Sequence, residues 1–488
     1  MGDAMIDGAS TAGAPTSRAR AGRDIAGQVV LRAVNLALGI GVTLLLVRAL
    51  GTDGFGRWSV LLAVLGFVGY FGSLGLAQVT VERAAADPAR APAWFGALVT
   101  LRLALMGPVT LVAVGLCLLL ADDAAMRVAA VLLCAVLPVS ALSALGVVFQ
   151  VQVRNVVMTA VEVANGVVWA GAVVLITVLD GGLVAVAAAL LAVSTLTNLA
   201  IAVLALRAGS VQFRGSRPLW PPLLKQGLPV GIGGLLTLGY GYIDQVIVYE
   251  IAGVREAGLY GAVYRIYERA QFVPVAIMTT LFPLFVAARD TDPARVRRLF
   301  HTAVDYLVLT SLPALAITLA GPEPITRLLF GDDFVDAAPA LPVLMATFVV
   351  VSLGHLTGYL IVTYRLQNRF LALAIGALVF NVAANLVLVP SYGFLAAAWI
   401  TLATEVLVMS VSMWMVCART GVMPVSGNLG RIVLAAAAAG GLAWGLNEAG
   451  LPTLAWVAAA AGAYALLLLA SGAVRRDELR ALLRRAPA

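Results

Sequence analysis

Six of the twelve tyrosines in this 488-residue chain fall within residues 239–274, GYGYIDQVIVYEIAGVREAGLYGAVYRIYERAQFVP. The apolar stretches of that segment also hold two acids, Asp244 and Glu268, and two arginines, Arg265 and Arg269. A charge inside a bilayer costs roughly 3 kcal/mol or more, so it sits with a partner, in a water-filled cavity or at a task. Arginine offers planar, bidentate donors to phosphate oxygens, and tyrosine gives a sugar ring a flat apolar face with a hydroxyl beside it. A diphosphate held by Arg265 and Arg269, with sugars against Tyr264 and Tyr267, is the chemistry that these residues could perform. The competing account is structural: Asp244 and Glu268 neutralise the arginines, and the tyrosines form an interfacial belt.

Spacing divides the candidates. On a helix Tyr260, Tyr264, Tyr267 and Gln271, separated by 4, 3 and 4 residues, share a face. Glu268, Arg265 and Arg269 widen it to a polar arc of roughly 200°. On the preceding helix Thr237, Tyr240 and Asp244 share a face, and an Asp244 to Arg265 ion pair across the hairpin is expected. Arg269, Tyr264 and Tyr267 then lean towards substrate, while Tyr249 and Tyr260, near the hairpin ends, read as belt. Arg32 lies about eight residues into the first apolar span with no acid near it on the same helix, which favours a cavity role over snorkelling to the surface. Arg102 is a weaker candidate of the same kind. Asp244, Glu268, Glu162, Asp305 and Glu405 are intramembrane acids suited to carrying a coupling proton or helping to hold Na+, or simply to packing beside a neutral partner.

The elements that must position these groups are membrane helices. Hydrophobic residues make up 61% of the chain and charged residues 12%, with a mean hydropathy of +0.98. A soluble domain carries about 25% charged residues. Cys117, Cys134 and Cys417 lie far apart in apolar runs, and His301 and His355 stand alone, so neither a disulfide framework nor a metal site is expected. Asp332, Asp333 and Asp336 read as solvated acids at a helix start rather than a metal site.

With ~20 residues per crossing, the expectation is an all-α polytopic membrane protein of about fourteen transmembrane helices. If both termini face the cytoplasm, 23 basic residues fall inside, 5 outside and 4 within spans, the asymmetry that membrane orientation requires. The charge of +7 thus follows the membrane and not a nucleic acid. LLVRALGTDGFGRWSV at 45–60 and VIVYEIAGVREAGLYGAV at 246–263 repeat at an offset of 202 residues, aligning Gly51 with Gly253 and Gly56 with Gly258. Six crossings separate the copies, so two parallel six-helix lobes are expected, with any substrate site between them.

The domains expected are a disordered cytoplasmic tail (1–24), an N-lobe (25–206), a cytoplasmic linker (207–222) and a C-lobe (223–417). Two extra C-terminal helices (430–472) and a basic cytoplasmic tail (473–488) follow. Gly66, Gly69, Gly72 and Gly75 should let the second span approach its neighbours closely, and Pro274 and Pro283 should kink the eighth. No loop exceeds about twenty residues, which leaves little room for an enzyme domain.

Several motifs together resemble a known family. They are RALGTDGFG at 48–56, SLGL at 73–76, IDQVIV at 243–248, GLY at 258–260, YRI at 264–266, LLFGDDF at 328–334, and Asn381 and Asn385 with Pro390 and YG at 392–393. In that order they resemble the polysaccharide (O-antigen type) flippases, lipid-linked oligosaccharide exporters of the multidrug, oligosaccharidyl-lipid and polysaccharide exporter superfamily, related to the lipid II flippases. The resemblance implies a non-enzymatic, alternating-access flippase in the bacterial cytoplasmic membrane. It would move a polyprenyl-diphosphate-linked glycan as a monomer among membrane lipids, beside polysaccharide biosynthesis enzymes, without a cofactor and with Na+ or H+ coupling. It also implies that Arg32, Arg265 and Arg269 line a central cationic cavity and that the two extra helices form a lipid-tail groove. A lipid II flippase, a cation or drug extruder of the same superfamily, and a membrane glycosyltransferase or ligase are the alternatives.

Overall fold

The computed structural model describes residues 14–152, 155–208 and 211–473; the side chains of 14–33, 35, 36, 155, 156, 229, 230, 232–234 and 236–240 lie outside that description. Every regular element among the described residues is helical, as a bilayer demands of a chain that must satisfy its own backbone hydrogen bonds. The first half runs α1 (Ala14–Tyr70), α2 (Leu76–Ala86), α3 (Ala91–Leu120), α4 (Ala124–Cys134), α5 (Val136–Ser140), α6 (Val147–Val151), α7 (Asn155–Val178) and α8 (Leu183–Arg207). The second runs α9 (Trp220–Ala252), α10 (Val254–Ala270), α11 (Phe272–Ala288), α12 (Pro293–Ala320), α13 (Pro322–Phe330), α14 (Ala340–Thr363) and α15 (Gln367–Thr420). Two further helices, α16 (Leu429–Glu448) and α17 (Thr453–Ala470), complete the described chain.

Eleven of the described helical stretches are long and apolar enough to cross a membrane, against the fourteen expected. Much of the difference lies in double-length helices: α1 breaks at Gly51 and α15 at Gly393, so each is two helices joined at a glycine. Leu111, Leu119, Val178 and Leu466 stand exposed, as side chains facing lipid would. The leader departs from expectation, because α1 already begins at Ala14. Its alanines and arginines are good helix formers, and Pro15 sits in the first turn, where a missing N–H costs nothing. Residues 1–13 and 474–488, from the two expected tails, lie outside the described residues.

The glycines at the helix breaks carry the repeat into three dimensions. Gly51 adopts φ 64°, ψ −174° and Gly253 φ 98°, ψ 171°, a region open in practice to glycine alone. Between them the two halves meet reciprocally. A Cβ on Gly56 would collide with the Val254 carbonyl, and one on Gly258 with the Thr52 carbonyl. Since Thr52 and Val254 are also 202 residues apart, the contact is self-complementary, as around a local two-fold axis. Arg48 adds a bond across the same end, its Nη2 donating to the Leu328 carbonyl at 2.6 Å.

Gly66, Gly69 and Gly72 abut the side chains of Tyr242, Leu137 and Met106, the close approach expected of that stripe. The eighth span divides at Gln271 into α10 and α11. Pro274 explains the break, having no N–H to donate to Ala270 and crowding that carbonyl. The helices α16 and α17 pack against α12, where the Tyr464 hydroxyl donates to the Leu309 carbonyl at 2.9 Å.

Candidate functional site

Helix α10 stands between two cavities and turns a different chemistry to each. Towards the first half of the chain it presents Arg265 and Arg269, which line a cavity of about 290 Å³ with Thr43 and Leu46 of α1, Trp58 beyond the Gly51 break, and Trp169 of α7. Gly39 makes room for the guanidinium there: a Cβ at that position would lie 3.2 Å from Arg269 Nη1. Arg269 is exposed to the cavity and makes no hydrogen bond or ion pair with a described residue. Arg265 donates from Nη1 to Glu268 Oε2 at 2.6 Å, while its Nη2 is buried without a partner among the described residues. Among the described residues one arginine is thus without a partner and the other half committed, a donor set suited to an anion with several oxygens.

Towards the second half, α10 presents tyrosines. A cavity of about 520 Å³ is lined by Tyr242 of α9, Tyr264, Tyr267 and Glu268 of α10, His355 of α14 and Glu405 of α15. Tyr264 lies 5.4 Å from Tyr260 and 5.3 Å from Tyr267, centroid to centroid, so the rings form a continuous row along one face. His355 Nε2 has no partner among the described residues, and the Tyr264 side chain lines the same cavity. Glu268 reaches this cavity while holding Arg265 of the other, so the ion pair bridges the two.

The expected pair between Asp244 and Arg265 is not formed. Asp244 is fully buried and accepts at Oδ2 from Thr401 Oγ1 at 2.7 Å and from Tyr260 Oη at 3.3 Å, with Oδ1 left unpartnered among the described residues. Arg265 takes Glu268 instead because residues three apart on a helix are already neighbours. The belt assignment of Tyr260 and Tyr249 also fails. Tyr260 is fully buried on Asp244, and Tyr249 is buried with its hydroxyl 3.3 Å from the Leu120 carbonyl. The helix that supplies Thr401, α15, also carries the buried Asn381 and Asn385, the first donating to Thr404 at 3.3 Å.

The remaining candidates scatter. Arg32 lies on α1, but its side chain is outside the described ones. Glu162 is exposed on α7, two turns from Trp169 on the same face. Arg102 reaches Ser143 at 3.5 Å. Asp305 accepts from Ser426 and Asn428, tying α12 to the segment before α16. Asp332 and Asp336 pair with Arg327 and Arg255, and no group of three His, Cys, Asp or Glu suited to a metal occurs among the described residues. Sequence reasoning missed His355 and Tyr242 as cavity groups. A signal for the former existed: Val351, Gly354, His355, Gly358 and Val362 recur at helical spacing and all line the larger cavity.

Residues 45–339 match the family described as Polysaccharide biosynthesis protein. The chain is 32% identical over 139 residues to a probable lipid II flippase MurJ of Rhizobium meliloti (strain 1021), a stretch covering 28% of this chain and 26% of the relative. It is 24% identical over 176 residues to a probable flippase AglR of Haloferax volcanii, covering 35% of this chain and 37% of the relative. The chain therefore spans well under half the length of either relative. In fold it resembles the lipid II flippase MurJ in an inward closed conformation, with a TM-score of 0.70 at 10% identity, over 90% of this chain and 97% of that one. It also resembles a multidrug resistance transporter of the MATE family and MOP superfamily in an inward-facing conformation, with a TM-score of 0.63 at 16% identity, over 81% and 98%.

Proposed function

The chain belongs to the polysaccharide biosynthesis protein family, and from that premise we propose that it is a flippase for a polyprenyl-diphosphate-linked oligosaccharide, a precursor of a cell-surface polysaccharide. The observation that carries this reading is Arg269, a cation without a described partner in a cavity between the repeated halves, beside a half-committed Arg265. In the mechanism, the diphosphate binds at these arginines, with Arg32 contributing from α1, while the polyprenyl tail stays in lipid along α16 and α17. The lobes, residues 25–206 and 223–417, then rock about the bound headgroup and expose it to the opposite leaflet. Binding is the driving interaction, because a phosphate oxygen that accepts two guanidinium donors in a low-dielectric cavity gains more than it would in water. Asp244, Glu162, Glu268 and Glu405 are the groups proposed to couple this motion to Na+ or H+. Both termini face the cytoplasm in this scheme, and the protein acts as a monomer next to polysaccharide biosynthesis enzymes.

The local 32% identity to a probable lipid II flippase favours one second reading, in which the cargo is lipid II itself. A cation or drug extruder fits less well, since the free cation of the cavity would repel such cargo. Reconstitution into proteoliposomes with labelled polyprenyl-diphosphate-linked sugar, lipid II and a cationic dye separates the three. The proposal expects translocation of the lipid-linked sugar. Translocation of the dye without either lipid would overturn it.

A further inference from the structure

We infer that the turn between α14 and α15 is a binding site for the headgroup phosphate of an anionic membrane phospholipid of the phosphatidylglycerol type. This goes beyond the flippase reading and does not depend on which cargo is carried. Four arginines meet at the turn. Arg289, one residue past the end of α11, donates from Nη1 to the Thr363 carbonyl at 2.7 Å. Arg419, in the last turn of α15, lies with its Cζ 5.9 Å from the centre of the Tyr364 ring. Arg365 belongs to the turn itself and Arg369 to the first turn of α15. Both are exposed, and their side chains make no hydrogen bond or ion pair with a described residue. The acid brought to this cluster, Asp290, is held by Arg289 Nε at 2.7 Å. Three guanidinium groups without a described carboxylate therefore flank one exposed turn.

The backbone shows that Arg365 is held there against local preference. Its amide donates to the Val362 carbonyl at 3.2 Å and that of Leu366 to the Ile361 carbonyl at 2.9 Å, a helix end whose left-handed residue is usually glycine. The same bonds close α16, with Gly450 at φ 76°. At the end of α14 the position is taken by Arg365, at φ 58°. A side chain there strains the backbone, and no described contact of Arg365 offsets the strain. The level of the turn supplies a reason. The stretches Val254–Ala288, Ala340–Thr363 and Gln367–Thr420 are long and apolar enough to cross a membrane, so these arginines stand where the apolar spans end and headgroups begin. Within two turns of them Val362, Leu371, Ile375 and Trp414 are exposed, an apolar flank for acyl chains. A phosphate above apolar tails matches both parts of the site, whereas free phosphate matches only the first. Arginines that merely set the charge of one leaflet would be spread around the rim and not gathered on one turn.

The test uses the purified full chain in detergent, freed of lipid, with binding of phosphatidylglycerol, phosphatidylcholine and polyprenyl diphosphate measured by native mass spectrometry. Phosphatidylglycerol should bind more tightly than phosphatidylcholine. Arg365→Gly and Arg419→Ala should each weaken phosphatidylglycerol binding by about fivefold and leave phosphatidylcholine binding as it was. Arg365→Gly carries a second readout, because glycine relieves the left-handed strain. The melting temperature of that variant without lipid should hold or rise while its affinity for phosphatidylglycerol falls, which an unfolded variant could not show. Equal binding of the two phospholipids by the unaltered protein overturns the site, as does unchanged phosphatidylglycerol affinity in the Arg365→Gly, Arg419→Ala double variant. Arg265 and Arg269 are intact in every variant, so polyprenyl diphosphate binding should not change. Its loss in the double variant, with phosphatidylglycerol binding retained, would give the turn to the cargo and overturn the phospholipid site.

Discussion

The guanidinium of Arg269, which has no partner among the described residues, is the group on which the proposed function depends most. Replacing it with alanine removes a charge-assisted contact worth about 1.5–3 kcal/mol, so transport of the lipid-linked sugar should fall by about tenfold or more. Thermal unfolding of the same variant should move little, because Arg269 has no described partner to lose. Asp244 behaves in the opposite way. Asp244→Ala removes the buried carboxylate that accepts from Thr401 and Tyr260, leaving those hydroxyls only the Ala397 carbonyl and each other, and should cost about 1–3 kcal/mol in a denaturation experiment. Asp244→Asn keeps an acceptor for Thr401 and should cost less than half as much. The polar arc of α10 was legible because helical spacing alone places Tyr264, Tyr267, Arg265 and Arg269 on it. The partners were not. Asp244 bonds to a threonine 157 residues away, a choice made by packing and invisible to local pattern.

At the scale of elements, the helices end where elementary chemistry says they must. Pro274 divides α10 from α11, and Asp123 and Asp292 cap α4 and α12 by accepting from the amides of Met126 and Arg295. The glycine hinge between α9 and α10 makes a sharp prediction. Gly253 holds φ 98°, so Gly253→Ala should destabilise by about 1–3 kcal/mol. In α16, where a Cβ on Gly441 would meet nothing within 4 Å, Gly441→Ala should be neutral or stabilising by up to about 1 kcal/mol. Paired thermal melts of the two variants check this. Hydropathy disclosed the helical membrane architecture, and the repeat disclosed that Gly51 and Gly253 are equivalent. Where two spans join through a glycine into one long helix was not legible, since the join depends on a single residue's φ and ψ rather than on composition.

For the whole molecule, the reciprocal approach of Gly56 to Val254 and of Gly258 to Thr52 seals the two halves together at one end. The alternating access proposed for this chain requires that seal to open. In a variant lacking Cys117, Cys134 and Cys417, the pair Thr52→Cys and Val254→Cys, bridged by a reducible bifunctional thiol reagent, should stop transport and release it on reduction. Transport by the fully cross-linked protein would show that this end does not open. The central claim, that the arginines of α10 hold the diphosphate during translocation, is tested most directly by measuring flipping of a labelled polyprenyl-diphosphate-linked sugar in proteoliposomes. The unaltered protein and the Arg265→Ala, Arg269→Ala double variant would be compared at equal incorporation, with folding verified by thermal melting. The account predicts that the double variant loses translocation by about a hundredfold, two contacts each worth roughly tenfold. Translocation at the unaltered rate by the folded double variant would contradict it.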